Sequence, residues 1–99
     1  MKGIIFGNTQ ERAIIKLNTI VKDYKAYWDV NPIDIRENKN EYSIIFSNGD
    51  IWQAVKFAEN QRGRKGNLIL LDSEIDFKNK MDIAYCCCHN RPYGAIINF

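Results

Sequence analysis

Apolar residues recur every three or four positions between residues 8 and 28, with polar residues between them. The apolar series is Ile14, Leu17, Val21, Tyr24 and Trp28. This spacing is typical of one face of an α-helix. Asn8 before the series and Glu11 three residues later have the arrangement of a capping box, and Pro32 limits the far end because the residue before a proline disfavours helix. The pattern therefore predicts an amphipathic helix of about five turns, with Arg12 on its solvent side.

Asn48 and Gly49 lie between two segments rich in β-branched and aromatic residues. An Asn-Gly pair in this setting is typical of a two-residue type I′ turn between antiparallel strands. Such a turn would place Ile45 opposite Trp52, and alternation along the strands would give one apolar face. The predicted core face consists of Tyr42, Ile44, Phe46, Ile51, Val55 and Phe57, with Gln53 as its polar member. Trp52 would lie on the other face, where it packs beneath the first helix or stacks on a partner.

Four further segments have the composition of strands. Residues 3–7 form a short apolar run, and Leu68–Leu71 is continuously apolar, which fits a strand covered on both faces. Ile33 and Ile35 alternate with polar residues, the pattern of a half-buried strand, and residues 95–99 form a final strand.

A second helix is predicted within residues 73–88, with Asp76 as its cap. Its apolar positions are Phe77, Met81, Tyr85 and Cys88. The order of elements predicts a single α/β domain over residues 1–99, built as a small mixed sheet with an antiparallel hairpin and two helices. The long first helix is expected to cover one face of the sheet.

Composition narrows the class of protein. The net charge of +2 is too small to indicate nucleic-acid binding by itself. An apolar run of membrane-spanning length and a signal peptide are both missing from the sequence, so we expect a cytoplasmic protein without a membrane partner. Cys86, Cys87 and Cys88 are consecutive and odd in number, which indicates a reducing compartment and buried thiols. The alternative is a zinc site that uses Cys86 and His89.

Two groups of charged residues are candidates for function. Arg62, Arg64 and Lys65 lie in the loop 60–67, which contains two glycines and no apolar side chain, so they are suited to contact phosphates. The alternative is an ordinary solvated loop. Asp72 and Glu74 follow Leu68–Leu71 and would point the same way on an extended strand, which predicts a site for a divalent ion such as Mg²⁺. The alternative is that Asp72 caps the next helix.

Four segments taken together resemble the ATPase core of phage large terminase subunits, and DEAD-like helicases share the wider scheme. The segments are IIFGNTQERA at 4–13, IIFSNGDI at 44–51, RGR at 62–64 and LILLD at 68–72. The resemblance covers roughly residues 3–76. It implies a truncated P-loop NTPase core in which LILLD corresponds to Walker B.

The chain departs from this family at two places. It has no nucleotide-cradling G-x-x-x-x-G-K-[ST] loop, and Ser73 stands where the family has a glutamate after the metal-binding aspartate. The resemblance therefore implies a non-catalytic binding protein without a nucleotide cofactor, encoded by a phage or mobile element and active in the host cytoplasm. It would contact nucleic acid or a protein partner through the loop 60–67.

Two alternatives from the same resemblance stay open. One is an accessory subunit of an oligomeric nucleotide-hydrolysing assembly, and the other is an inhibitor of a host enzyme. Without the Walker A strand as its neighbour, Leu68–Leu71 would expose an edge of unpaired backbone groups. We expect this edge to be covered either by the C-terminal strand or by a partner chain, and the latter would make the protein an oligomer.

Overall fold

Six strands form one mixed sheet in this computed structural model, which describes residues 1–88 and 94–99. The strands are β1 (Lys2–Gly7), β2 (Pro32–Glu37), β3 (Tyr42–Phe46), β4 (Ile51–Lys56), β5 (Leu68–Leu71) and β6 (Ala95–Asn98). The helices are α1 (Gln10–Trp28) and α2 (Lys80–Cys87), and a short 3-10 helix spans Glu59–Gly63. The strand order is β2-β3-β4-β1-β5-β6. The predicted fold class, a mixed α/β sheet with an antiparallel hairpin and two helices, is confirmed.

The centre of the sheet is β1, which runs parallel to β4 on one side and to β5 on the other. The second edge of β5 pairs with β6, also in parallel. The strand Leu68–Leu71 therefore has a ladder on both edges, and its last three residues are buried. Because consecutive residues point to opposite faces, their burial confirms the prediction that this strand is covered on both faces. The two ladders also remove the reason for expecting a partner chain at that edge, because the chain's own β1 and β6 pair with it.

The hairpin register differs from the prediction by one residue. Ile45 lies opposite Ile51 and Ile44 lies opposite Trp52, so Trp52 shares a face with Ile44 rather than with Ile45. The cause is a loop of three residues instead of two: the Gly49 N–H donates to the Phe46 carbonyl, and Gly49 has a φ of +92°. A type I turn followed by a left-handed glycine has this form. One extra residue in the loop reverses every side chain of the second strand relative to the first.

The predicted core face is consequently divided between two cores. Ile44 and Phe46 pack with Trp52 and Ala54 against α1. Val55 and Phe57 belong to the core on the other side of the sheet, beneath α2. Trp52 is 3% exposed, which confirms that it packs under the first helix.

The first helix has the predicted extent and covers one face of the sheet. Its buried residues are Ala13, Leu17, Ile20 and Tyr24. Thr9, rather than Asn8, is its N-cap, and the Thr9 hydroxyl accepts a hydrogen bond from the Arg12 N–H. The helix ends at Asp29, a left-handed residue three positions before Pro32. The observed N-cap differs from the predicted one by one residue because both Asn8 and Thr9 can cap a helix, and the Asn8 backbone N–H donates to Asp72.

The second helix is shorter than predicted and buries a different stripe. It spans eight residues, and Ile83, Ala84 and Cys87 are its buried positions. The predicted stripe is largely exposed: Phe77 is 41% exposed, Met81 48% and Tyr85 54%. The helix begins at Lys80, several residues after the proposed cap at Asp76, which explains why a different set of side chains meets the sheet. The residues predicted to stop the helix, 89–92, lie outside the described part of the chain.

Two isoleucines of the edge strand β2 are more exposed than predicted. Ile33 is 68% exposed and Ile35 is 54% exposed. The strand itself is present, with an irregularity between Pro32 and Asp34. It lies at the end of the sheet, beyond β3, whereas α1 packs on β1 and β4. The half-buried pattern is therefore wrong for this strand, because the helix does not extend over the sheet edge.

Neither α1 nor α2 combines the length and the hydrophobicity of a membrane-spanning helix, and the described residues contain no other candidate.

Candidate functional site

The predicted site residues are divided between the two edges of the sheet. Asp72 and Glu74 follow the end of β5, whereas Lys65 lies just before its start, near Lys2 at the start of β1. β1, β4 and β5 run in parallel and end together, at Gly7, Lys56 and Leu71. The turn between β2 and β3 lies at the same edge, because β3 runs antiparallel to β4. We call this the carboxyl edge. In open α/β sheets ligands bind outside the carboxyl ends of the parallel strands.

The three basic residues of the loop 60–67 point in two directions. Arg62 and Lys65 are exposed and reach toward the end of α2, where Lys65 donates to the Cys86 carbonyl and an Arg62 guanidinium nitrogen lies 4.0 Å from the Cys86 sulfur. A lysine near the last carbonyls of a helix stabilises that helix end. Its ammonium carries three donors, so this contact leaves two of them for a ligand. Neither contact neutralises a charge.

Arg64 instead turns inward and is held by neighbouring side chains. Its guanidinium pairs with Glu41 at 2.5 Å and also donates to Gln61 and, at 3.4 Å, to Gln53. The side chain is 24% exposed. The structure therefore does not bring all three predicted cations to one point: two face solvent, and the third is fixed by a carboxylate.

The inward side of this loop borders an open cleft at the carboxyl edge, with a volume of about 490 Å³. We call it the basic cleft. Its lining residues are Gln10, Lys39, Asn40, Lys56, Ala58, Asn60, Gln61 and Arg64. They come from the start of α1, the β2–β3 turn, the end of β4 and the loop after it. Three are cations, four are carboxamides, and none is a carboxylate.

Two cations of the basic cleft have no acidic partner among the residues that the structure describes. Neither Lys39 nor Lys56 takes part in an ion pair within residues 1–88 and 94–99. Gln10 is half-buried, and its amide nitrogen donates to the Ala54 carbonyl at 3.1 Å. Its Oε1 atom is buried and has no hydrogen-bond partner in the described part of the chain. Buried acceptors are normally satisfied, so Gln10 has hydrogen-bonding capacity that the fold does not use.

Asp72 follows β5 at the same edge and is completely buried. Both of its oxygens bind Arg12, at 2.6 Å to Nε and 2.8 Å to Nη2, which is a bidentate pair. The backbone N–H groups of Asn8 and Glu74 also donate to it, at 2.9 and 3.0 Å. Arg12 is exposed, as predicted, and its guanidinium also reaches across to the neighbouring strand end.

These contacts fix the charge of Asp72. The Arg12 hydrogen bonds, helped by the two backbone N–H groups, hold the pKa of Asp72 well below its usual value of 3.8 despite its burial. A divalent ion at the predicted Asp72 and Glu74 site would have to displace Arg12 from at least one oxygen. Within the described residues, no three His, Cys, Asp or Glu side chains are grouped to hold a metal ion.

The cysteines are free thiols, as expected from their spacing. Cys87 and Cys88 are buried, and burial raises the pKa of the Cys87 thiol. The proposed zinc pair included His89, which lies outside the described residues.

On the α1 side of the sheet, Trp52 Nε1 donates to the Tyr24 hydroxyl at 3.0 Å, and that hydroxyl donates to Asp50 at 2.7 Å. Trp52 therefore belongs to an internal polar chain.

Comparison with known proteins adds no family to this description. No family model matches the chain, and no curated protein or solved structure is significantly similar to it. The resemblance to terminase ATPase cores accordingly stays a prediction.

Sequence reasoning missed Gln10, Lys39 and Lys56, which are isolated in the sequence and come together only at the carboxyl edge. One signal could have indicated them: Lys56 ends a strand and Gln10 opens the helix after another strand, the two positions where parallel sheets place ligand contacts.

Proposed function

We propose that this chain is a non-catalytic binding protein that contacts the phosphate backbone of nucleic acid through the loop 60–67. Arg62, Arg64 and Lys65 supply the contacts, and Lys39 and Lys56 extend the same basic surface. The observation that carries the proposal is the concentration of positive charge in the β2–β3 turn and in residues 56–67, which run from the carboxyl edge to the start of β5.

The charge of these two segments exceeds that of the whole molecule. Residues 39–41 and 56–67 contain five basic and two acidic residues, a local charge of +3, whereas the chain as a whole has +2. The remainder is therefore slightly acidic. Of the five cations only Arg64 has a carboxylate partner in the described structure, so four are available to bind an anion. Neutralisation of phosphates by Lys and Arg is the main source of sequence-independent affinity for nucleic acid.

The roles of the three predicted residues differ under this proposal. Arg62 and Lys65 make direct phosphate contacts, since both are exposed and carry unused donors. Arg64 is oriented by Glu41 and Gln61, so it contributes a fixed donor at the border of the cleft rather than a mobile one. Because the three side chains do not meet at one point, different phosphates of one strand contact Arg64 on the cleft side of the loop and Arg62 and Lys65 on the side of α2.

The test is the salt dependence of nucleic-acid binding, measured by fluorescence anisotropy with a labelled single strand and with a duplex. For wild type we expect the logarithm of the affinity to fall linearly with the logarithm of the salt concentration. In the double variant R62A/K65A, loss of two phosphate contacts should weaken the single-strand slope by about 1.4. The matched control K22A/K25A removes the same charge from two exposed lysines in the second half of α1, and it should retain the wild-type slope.

Two results would contradict the proposal. Equal slopes for R62A/K65A and K22A/K25A would show that the loop is not the contact surface. The second is that wild type binds an acidic peptide such as polyglutamate and shows no measurable binding to either nucleic acid. This result would assign these five cations to a protein partner.

A further inference from the structure

The basic cleft has the size and the polarity of a small-molecule site. Its volume of about 490 Å³ lies within the range of about 300–1,000 Å³ typical of ligand pockets. Most such pockets are lined by apolar and aromatic side chains. Among the described residues, Ala58 is the only apolar one that lines the cleft, so the lining offers an apolar ligand little surface to bury against. The lining instead suits a ligand that carries negative charge together with several hydrogen-bonding groups.

The charges in the cleft are divided between one fixed and two free cations. Arg64 is held by Glu41 and by the Gln61 side chain, so its guanidinium has a set position at the border of the cleft. Lys39 and Lys56 lie in the same cleft, and neither has a carboxylate partner in the described residues. Two free ammonium groups beside a fixed guanidinium are suited to one phosphate group.

The carboxamides supply a second kind of contact. The side-chain amides of Asn40 and Asn60 make no hydrogen bond to the described part of the protein, and the Oε1 atom of Gln10 also lacks a partner. Carboxamides combine a donor and an acceptor, and they can pair with two atoms of a base edge at once, as with adenine N6 and N7. The cleft therefore places base-pairing groups beside phosphate-binding groups.

We propose that the basic cleft binds one unpaired nucleotide of the strand whose backbone contacts the loop 60–67. This inference rests on the proposed function and makes it more specific: the preferred ligand is a single strand. In a duplex the bases are stacked and paired, so only an extruded or unpaired nucleotide can bring its base edge into a cleft. The phosphate lies against Lys39, Lys56 and Arg64, and the base meets Asn40 and Asn60.

The test uses a neutral double variant, N40A/N60A, with single-stranded oligo(dA) and the dA·dT duplex as probes. Both residues are exposed, so the variant should keep the wild-type Tm. Loss of two base contacts should weaken oligo(dA) binding about tenfold and change duplex binding by less than about twofold. The salt slope should not change, because no charge is removed. Asn18→Ala, which removes an exposed carboxamide from α1, is the control and should bind like wild type.

Free AMP serves as a competitor and tests whether the cleft binds a nucleotide that is not part of a strand. Displacement of oligo(dA) by AMP from wild type, but not from N40A/N60A, would support the cleft as the nucleotide site. Wild-type affinity of N40A/N60A for oligo(dA), together with weakened binding by R62A/K65A, would overturn this inference and leave the proposed function intact. Binding of AMP without binding of oligo(dA) would instead overturn the proposed function.

Discussion

Replacement of Asp72 by asparagine tests how the carboxyl edge is held together. The aspartate is completely buried and accepts four hydrogen bonds, two from Arg12 and one each from the backbone N–H groups of Asn8 and Glu74. Each carboxylate oxygen takes one bond from Arg12 and one from a backbone N–H. Asparagine has the same shape, but only one of its two terminal atoms is an acceptor. The variant must therefore turn an amide group toward two donors.

The expected cost follows from these contacts. The side chain of Arg12 is 44% exposed, so water replaces much of its lost contact. The backbone N–H that meets the new amide group points at the completely buried side chain of residue 72, and leaving such a donor unsatisfied costs about 1–3 kcal/mol. We therefore expect Asp72→Asn to lower the free energy of unfolding by about 2 kcal/mol. For a domain of this size that corresponds to a fall in Tm of about 8–16 °C.

Urea unfolding followed by tryptophan fluorescence measures this difference, since Trp52 is buried in the native state. Asp76→Asn, which changes an exposed aspartate, is the control and should be neutral. The pH dependence provides a second readout. The folded pKa of Asp72 lies below its ordinary 3.8, so the stabilisation is complete above that pH and is lost as the pH falls toward the folded pKa. The difference between wild type and variant should therefore shrink below pH 3.8.

A variant as stable as Asp76→Asn at pH 7 would refute the reasoning, because it would mean that the four contacts on Asp72 contribute nothing measurable. A large difference that stays constant down to pH 2 would refute the electrostatic part alone, since the loss would then come from shape rather than charge.

Two further predictions concern the α1 side of the sheet. Gly49 has a φ of +92°, so Gly49→Ala should lower the free energy of unfolding by about 1 kcal/mol, measured by thermal melts. The control is Gly63→Ala. It should be close to neutral in the same melts, because Gly63 has open space around it and no positive φ. Burial, with the Asp50 carboxylate nearby, raises the pKa of Tyr24 to about 12. Wild type should therefore lose stability between pH 10 and pH 12 relative to Tyr24→Phe, and its titration at 295 nm should contain a late component that the variant lacks. Identical titration curves for the two proteins would contradict this.

Elements set by local periodicity were predictable from the sequence. The apolar series in α1 and the continuous run in β5 each reflect burial by neighbouring layers, and both elements lie where the pattern places them. The hairpin shows the limit of this reasoning. Gly49 is compatible with a two-residue turn and with a three-residue turn, since both need a left-handed glycine, and only the pairing of the strands decides between them. That one-residue difference puts Trp52 on the same face of the hairpin as Ile44 and Phe46, whereas the predicted register puts it on the other face.

The site depended on contacts that no local pattern shows. Arg12 and Asp72 are sixty residues apart and meet only because β5 pairs with β1. Lys39 and Lys56 come from different segments, and their proximity follows from the antiparallel course of β3 beside β4. The loop 60–67 was recognisable from its glycines and cations, but the inward turn of Arg64 depends on Glu41, which its sequence neighbours do not indicate.

The most direct test of the account is to map the binding surface residue by residue. Isotope-labelled wild-type protein is titrated with single-stranded oligo(dA), and the backbone amide signals are followed by NMR. Chemical-shift changes concentrated at residues 39–40 and 56–65 are the predicted result, since these segments carry the cleft and the basic loop. Changes concentrated on α1 and β6, or no changes at a concentration that saturates the anisotropy signal, would contradict the account.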